Sequence, residues 1–178
     1  MVTIREAKLP EDAEQILRID TSFTTDTIYT AYQAEDQLGL RLTPLPDPIT
    51  KRFPLDDLSK QDRQWEFAVV ATVEDRICGF LAASYHEWNR RLTICHLYVD
   101  GPERRRGIAR LLMDRAQTYG FSKGALYVWL ETSSLNVPGA RAYRRLGFEL
   151  CGMDTMLYRG TAVAGEAALF FARPIFGV

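Results

Sequence analysis

One stretch limits what this chain can fold into more than any other. An apolar, β-prone run from Leu92 to Val99 ends at Gly101-Pro102, passes through Arg104-Arg105-Arg106-Gly107, and continues from Ile108 to Tyr119 with helical spacing of its apolar residues. That order is a strand, a basic loop and the start of a helix. A helix start carries backbone N–H groups without intrahelical partners and the positive end of the helix dipole, so it attracts an anion. Gly107 and Ala109 have little or no side chain, and a ligand can approach the backbone there. Positive charge at a helix N-terminus is locally unfavourable unless an anion answers it. The stretch therefore predicts a site for a phosphate-bearing ligand.

The rest of the chain narrows the choice. Its 178 residues suit a single domain, expected to span 1–178. Net charge is −1, so no global field favours nucleic acid or an anionic membrane, and the arginine cluster is a local feature. Cys78, Cys95 and Cys151 show no metal-ligand spacing and sit in apolar contexts. They read as core thiols of a cytoplasmic protein, with no metal site. No apolar run reaches membrane-spanning length.

Taken in order, Val2 to Glu6 is a first strand, and Pro10 opens a helix with Ile16, Leu17 and Ile19 as its apolar positions. Asp20 to Thr27 reads as a polar capping or turn segment, and Ile28 to Ala34 and Leu38 to Thr43 as extended pieces. Pro44 to Arg63 reads as a long irregular insertion. Glu66 to Val73 and Arg76 to Tyr85 form a hairpin, with a turn at Trp88 to Arg91 before the next strand. The following helix should stop at Gly120. Ala125 to Leu130 is a strand, Pro138 to Leu146 a helix closed by Gly147, and Phe148 to Met156 with Glu166 to Ala172 a closing pair of strands. The fold class is α/β with a mixed, mostly antiparallel sheet.

Two common nucleotide loops are absent: neither G-x-x-x-x-G-K-[ST] nor G-x-G-x-x-G occurs. What stands here is Arg104-x-x-Gly107-x-Ala109, which resembles the acyl-CoA loop of the GNAT acetyltransferase superfamily. A second block, Asn136-Val137-Pro138-Gly139-Ala140-Arg141-Ala142-Tyr143-Arg144-Arg145-Leu146-Gly147-Phe148, resembles the N-x-x-A-x-x-x-Y-x-x-x-G-F block of the same superfamily, with Gly139 in place of its alanine. The resemblance implies a GNAT fold with a bulged or splayed strand, and acetyl-CoA as the bound cofactor. It implies cofactor contacts at Leu97, Tyr98 and Val99, at Arg104, Arg105, Arg106, Gly107, Ile108, Ala109 and Arg110, and at Asn136, Pro138, Ala140 and Tyr143. Tyr143 would lie near the thioester sulfur as the acid.

Further fragments resemble the streptothricin (nourseothricin) acetyltransferases: Ser22 to Thr27, Pro46 to Pro54, Trp88 to Thr93, Trp129 to Glu131, and Leu150 to Thr155 with Tyr158, Gly160 and Glu166. Enzymes of that family acetylate an amine of the β-lysine moiety of the antibiotic. The resemblance implies substrate contacts at Phe23, Asp26, Trp88 and Asp154. In one strand the chain departs from that family, which carries acids where this chain has Cys95, His96 and Tyr98.

An alkylamine acceptor is mostly protonated at neutral pH and needs a base, for which Glu131 and His96 are the candidates. For each, the competing reading is structural: a carboxylate holding a neighbouring loop, and an imidazole hydrogen-bonded within the sheet. A different amine (a polyamine, an aminoglycoside-like compound or a protein lysine) and a non-catalytic CoA-binding module are the alternative functions. Acyl transfer through Cys95 is the alternative mechanism. The expected partner is a small-molecule amine, not nucleic acid or membrane, with a homodimer left open.

Overall fold

The computed structural model describes residues 1–175. The chain forms two compact units and passes between them four times: one holds Met1–Thr21, Arg52–Trp129 and the stretch from Pro174, the other Ser22–Lys51 and Leu130–Arg173. The first contains β1 (Val2–Glu6), α1 (Ala13–Leu17), β4 (Phe67–Val73), β5 (Arg76–His86), β6 (Arg91–Val99) and α2 (Ile108–Ser122). The second contains β2 (Ser22–Ala34), β3 (Gln37–Arg52), α3 (Val137–Arg145), β8 (Glu149–Asp154) and β9 (Ala168–Pro174), and β7 (Tyr127–Ser133) begins in one unit and ends in the other. Among the described residues no helix is long and apolar enough to cross a membrane.

In the first unit the strands run β1-β4-β5-β6-β7, and β1, β4, β5 and β6 pair antiparallel in turn. In this unit Val69, Val70, Phe80 and Leu81 are fully buried, and the second unit buries Phe148, Leu169 and Phe171. Helix α2 packs on this sheet through Ile108, Leu112, Met113 and Ala116, all at most 1% exposed. The approach is close at Gly79, where a Cβ would stand 3.1 Å from Leu112 and 3.2 Å from Ile108. That contact fixes the start of α2, and so the loop before it.

Helix α2 does not stop at Gly120. It continues to Ser122 and breaks before Gly124, which has φ of +83°. Gly120 lies inside the helix because a Cβ there would meet the Leu92 side chain at 2.9 Å. The glycine permits close packing on β6 and does not end the helix.

Strand β6 carries the expected irregularity. Ala82 faces His96 and Ala83 faces Ile94, so Cys95 is an extra residue with no counterpart on β5. This is a β-bulge, and it bends the strand just ahead of the basic loop.

The second unit corrects two expectations. The polar segment Asp20 to Thr27 is not a turn, because β2 begins at Ser22. Nor is Pro44 to Arg52 irregular, because β3 runs through it to Arg52. The prolines at 44, 46 and 48 share one parity, so their missing N–H groups fall on one edge of β3. Among the described residues that strand pairs with β2 alone, and an open edge needs no donors. Threonine hydroxyls join the two strands at Thr30–Thr43 (2.9 Å) and Thr24–Thr50 (2.8 Å). The irregular stretch is shorter and lies in the first unit, from Phe53 to Glu66.

Candidate active site

The basic loop in the first unit gives its three arginines different tasks. Arg104 turns inward: Nε donates to the Val99 carbonyl at 2.9 Å and a terminal nitrogen to the Asp20 carbonyl at 2.7 Å. Arg106 pairs with Glu103, which is 8% exposed and also takes Arg76 at 2.9 Å. Arg105 and Arg110 are exposed and have no side-chain hydrogen bond or ion pair among the described residues. They are the cations left for a ligand.

The backbone is shaped for an anion as well. Arg105 has φ of +65° and Gly107 φ of +81°, a left-handed pair that turns successive N–H groups toward one side. Gly107 is the N-cap of α2, no side chain caps the helix, and its first turn carries no acid. A Cβ on Gly107 would meet nothing within 4 Å. A phosphate would thus find unoccupied donors, two cations and open space.

Ahead of the loop, Leu97, Tyr98 and Val99 are half-buried and pair with Leu81, Phe80 and Gly79. His96 is tightly held. Its Nε2 lies 2.9 and 3.0 Å from the two oxygens of Asp57, and Asp57 also accepts from the Trp65 indole N–H at 2.8 Å. The Nδ1 of His96 is buried without a partner among the described residues. Burial pulls the Asp57 carboxyl upward, but hydrogen bonds from His96 and Trp65 hold it below the usual range, so it is ionised. Neither nitrogen of His96 is presented to a ligand, which is the arrangement of the structural reading. Asp57 was not found from sequence, because it comes from the irregular stretch and no spacing ties it to His96.

The cysteines also differ from expectation. Only Cys78 is buried, Cys95 is half-buried and Cys151 is exposed. Burial pushes the Cys95 thiol up to about 12, so it is not a thiolate at neutral pH and is poorly suited to carry an acyl group. Trp88 is 84% exposed on the turn after β5.

In the second unit, α3 begins at a fully used N-cap. Asn136 Oδ1 accepts from Gly139 N–H at 2.9 Å and its Nδ2 donates to Thr132 Oγ1 at 2.9 Å. Both polar ends of Asn136 are therefore engaged within the protein. Ala140 is fully buried and Pro138 half-buried. Tyr143 is half-buried between Phe148 (6.3 Å) and Phe171 (5.9 Å), ring centroid to centroid. Burial pushes its phenol up to about 12, with a hydrogen bond to Thr132 opposing, so it holds its proton at neutral pH.

Glu131 is exposed on β7 and accepts from the Tyr158 hydroxyl at 2.6 Å. It does tether a loop, the structural role weighed for it, yet its carboxylate stays open to solvent. Asp154 accepts from the backbone N–H groups of Met156 (2.7 Å) and Leu157 (3.0 Å), so it shapes the turn after β8. Phe23 is half-buried and Asp26 exposed on β2.

A strand that bulges, a left-handed basic loop and an uncapped helix agree with the family model that matches residues 28–148, described as the acetyltransferase (GNAT) family. The chain belongs to the GNAT acetyltransferase family. It is an acetyl-CoA-dependent N-acetyltransferase. The streptothricin acetyltransferase of Streptomyces lavendulae is 40% identical over 172 residues, covering 93% of this chain and 91% of that protein. One from Escherichia coli is 26% identical, covering 92% and 91%. A crystal structure of nourseothricin acetyltransferase superposes with a TM-score of 0.88 at 41% identity, covering 98% and 99%. A Bacillus anthracis protein in complex with acetyl coenzyme A shares the fold, with a TM-score of 0.81 at 21% identity, covering 98% and 99%.

Proposed function

We propose that this acetyltransferase modifies a streptothricin-type antibiotic at its β-lysine amine, by direct transfer in a ternary complex. The observation that carries the reading is the 40% identity to the Streptomyces lavendulae enzyme along 93% of this chain. Bound acetyl-CoA supplies an acetyl group as a thioester, and the reaction forms an amide C–N bond as the C–S bond breaks.

The remaining work falls to the protein. Arg105, Arg110 and the N–H groups from Gly107 to Ala109 hold the phosphates. Backbone groups of Leu97 to Val99 take the carbonyl oxygen as negative charge develops on it. Glu131, exposed and ionisable, accepts the proton that the attacking amine must lose, directly or through a water. Tyr143 donates a hydrogen bond to the departing sulfur. Its phenol is several units less acidic than a thiol, so it keeps its proton and donates a hydrogen bond to the thiolate, which takes its proton from solvent on release. Phe23, Asp26 and Trp88 are the acceptor-side contacts that the family resemblance implies.

The lack of acids at Cys95, His96 and Tyr98 favours a second reading, a different amine (a polyamine, an aminoglycoside-like compound or a protein lysine) as acceptor. Against it stands the ionised Asp57, which sets a carboxylate beside His96 on that same strand.

The test is direct. Nourseothricin incubated with acetyl-CoA and the purified protein should gain one acetyl group by mass spectrometry. Cells expressing the protein should grow on nourseothricin, and cells expressing Tyr143→Phe should lose that protection. A product that forms only with other amines overturns the substrate.

A further inference from the structure

The turn after β8 is built around one side chain. Asp154 Oδ1 accepts from the backbone N–H groups of Met156 (2.7 Å) and Leu157 (3.0 Å), which fixes the chain just before Tyr158. Just after it, Thr161 donates to the Tyr158 carbonyl twice, from its N–H at 2.9 Å and from its hydroxyl at 2.8 Å. Tyr158 is thus held from both sides, and it is half-buried where its neighbours Leu157 and Arg159 are exposed. Its hydroxyl donates to Glu131 Oε1 on β7 at 2.6 Å, across 27 positions of chain and within the second unit. That distance is typical of a hydroxyl bound to an ionised carboxylate. Glu131 Oε2 has no hydrogen bond or ion pair among the described residues. Burial, Glu131 and Glu166 all push the Tyr158 phenol up, so it keeps its proton well above neutral pH and acts toward Glu131 as a donor. An exposed glutamate is otherwise free to rotate, and a group that must meet a proton in one direction gains from losing that freedom.

We propose that Tyr158 is a positioning residue for the base: it pins one oxygen of Glu131 and leaves the other, Oε2, to take the proton of the acceptor amine, with Asp154 and Thr161 setting the turn that presents it. This rests on Glu131 being the base. It also gives Asp154 a task inside the protein in place of a substrate contact. In the step itself the ammonium gives one proton to Oε2, directly or through a water, and the electron pair left on nitrogen forms the C–N bond. The carboxyl then returns that proton to solvent. The second proton that nitrogen loses is matched by the one the thiolate takes up. Tyr158 keeps its own proton throughout.

The experiment measures acetylation of nourseothricin, or of the alkylamine that the parent protein acetylates fastest should it refuse that one. It compares Tyr158→Phe, Glu131→Gln, the Tyr158→Phe/Glu131→Gln pair, Asp154→Ala and Asp154→Asn, each checked for folding by circular dichroism. Tyr158→Phe removes only the hydroxyl. It should lower kcat about tenfold while KM for acetyl-CoA stays within about twofold. Glu131→Gln keeps an amide oxygen for Tyr158 but loses the base, so kcat should fall by about a hundredfold. The pair should be no slower than Glu131→Gln alone, because a tether has nothing to position once the base is gone. Asp154→Ala opens the turn and should match Tyr158→Phe. Asp154→Asn, whose amide oxygen still accepts both N–H groups, should recover the rate.

The pH profile supplies a readout that a merely loosened turn would not move. An alkylamine sheds its proton in solution near pH ~10, so the base matters less as the pH rises. The kcat/KM deficit of Tyr158→Phe should therefore shrink several-fold between about pH 7 and about pH 9.5. A deficit constant across that range, additive losses in the pair, or a parental kcat in Tyr158→Phe beside an impaired Glu131→Gln would each overturn the positioning role. Asp154→Asn as slow as Asp154→Ala would show that Asp154 acts by its charge, and would overturn its part in presenting Tyr158. A parental kcat in Glu131→Gln overturns the base reading beneath the proposal. If Asp154→Ala does not fold, Tyr158→Phe and its pH profile decide.

Discussion

At the scale of single residues, two positions turn local geometry into measurable outcomes. Gly107 needs its φ of +81° to start α2, and a side chain there would project into open space beside the loop. Gly107→Val should cost about 1–2 kcal/mol in strain and still leave a folded protein. Acetyl-CoA binding should be lost, because the Cβ fills the space a phosphate would take. Calorimetry on the folded variant checks this, and unchanged affinity would remove the phosphate role of the loop. Asp57 answers two donors at once, Trp65 Nε1 and His96 Nε2. Trp65 is 5% exposed, so Asp57→Ala leaves its N–H without an acceptor and should cost about 2–3 kcal/mol, read as a lower urea midpoint at unchanged slope. Neither effect can be read from composition. The glycine was legible because a helix start next to arginines restricts what can stand there. The aspartate was not, because a contact across 39 positions of chain leaves no local pattern.

At the scale of elements, strands were found where apolar alternation marks a buried face and missed where polar and proline-rich sequence forms an exposed ribbon. Strands β4, β5 and β6 were placed almost to the residue, since Val69, Val70, Phe80 and Leu81 must be covered. Strands β2 and β3 hide behind threonines and prolines. Their alternation is real, but one pattern reads as caps and the other as a breaker unless the strand is known to be an open edge. The three prolines then have a function at this scale: an edge without donors cannot template another strand. Replacing Pro44, Pro46 and Pro48 with threonine should keep the fold and restore three outward N–H groups. Concentration-dependent association in light scattering is the expected result, absent from the parent protein at the same concentration. The same reasoning explains Gly120. Its neighbours continue the helix, and only the packing of Leu92 reveals why the position must be small.

At the scale of the whole molecule, the two motif blocks that identified the family fall in different compact units, the basic loop in one and the Asn136 to Phe148 block in the other. Their agreement in order and type made the function legible before any geometry. What stayed hidden is how each block is braced, by the Asp20 carbonyl under Arg104 in one unit and by Thr132 under Asn136 in the other. The first unit also carries a pH dependence. Asp12 is bound by Arg5 at 2.6 and 2.8 Å, and that hydrogen-bonded pair holds its carboxyl below the ordinary range, against the opposing pull of burial. Asp57 is held down in the same sense by His96 and Trp65. A carboxyl whose folded value is depressed binds fewer protons folded than unfolded. Its stabilisation is present above the unfolded value of about 3.9 and is lost as pH falls through the folded value. These two groups should leave the melting temperature unchanged between about pH 7 and 5 and lower it steeply below about pH 4. Asp12→Asn should melt lower at neutral pH and converge on the parent protein in acid, because the parent then loses what the variant already lacks. A constant gap between the two melting curves down to pH 3 would show that the Asp12 carboxylate contributes by shape and not by charge.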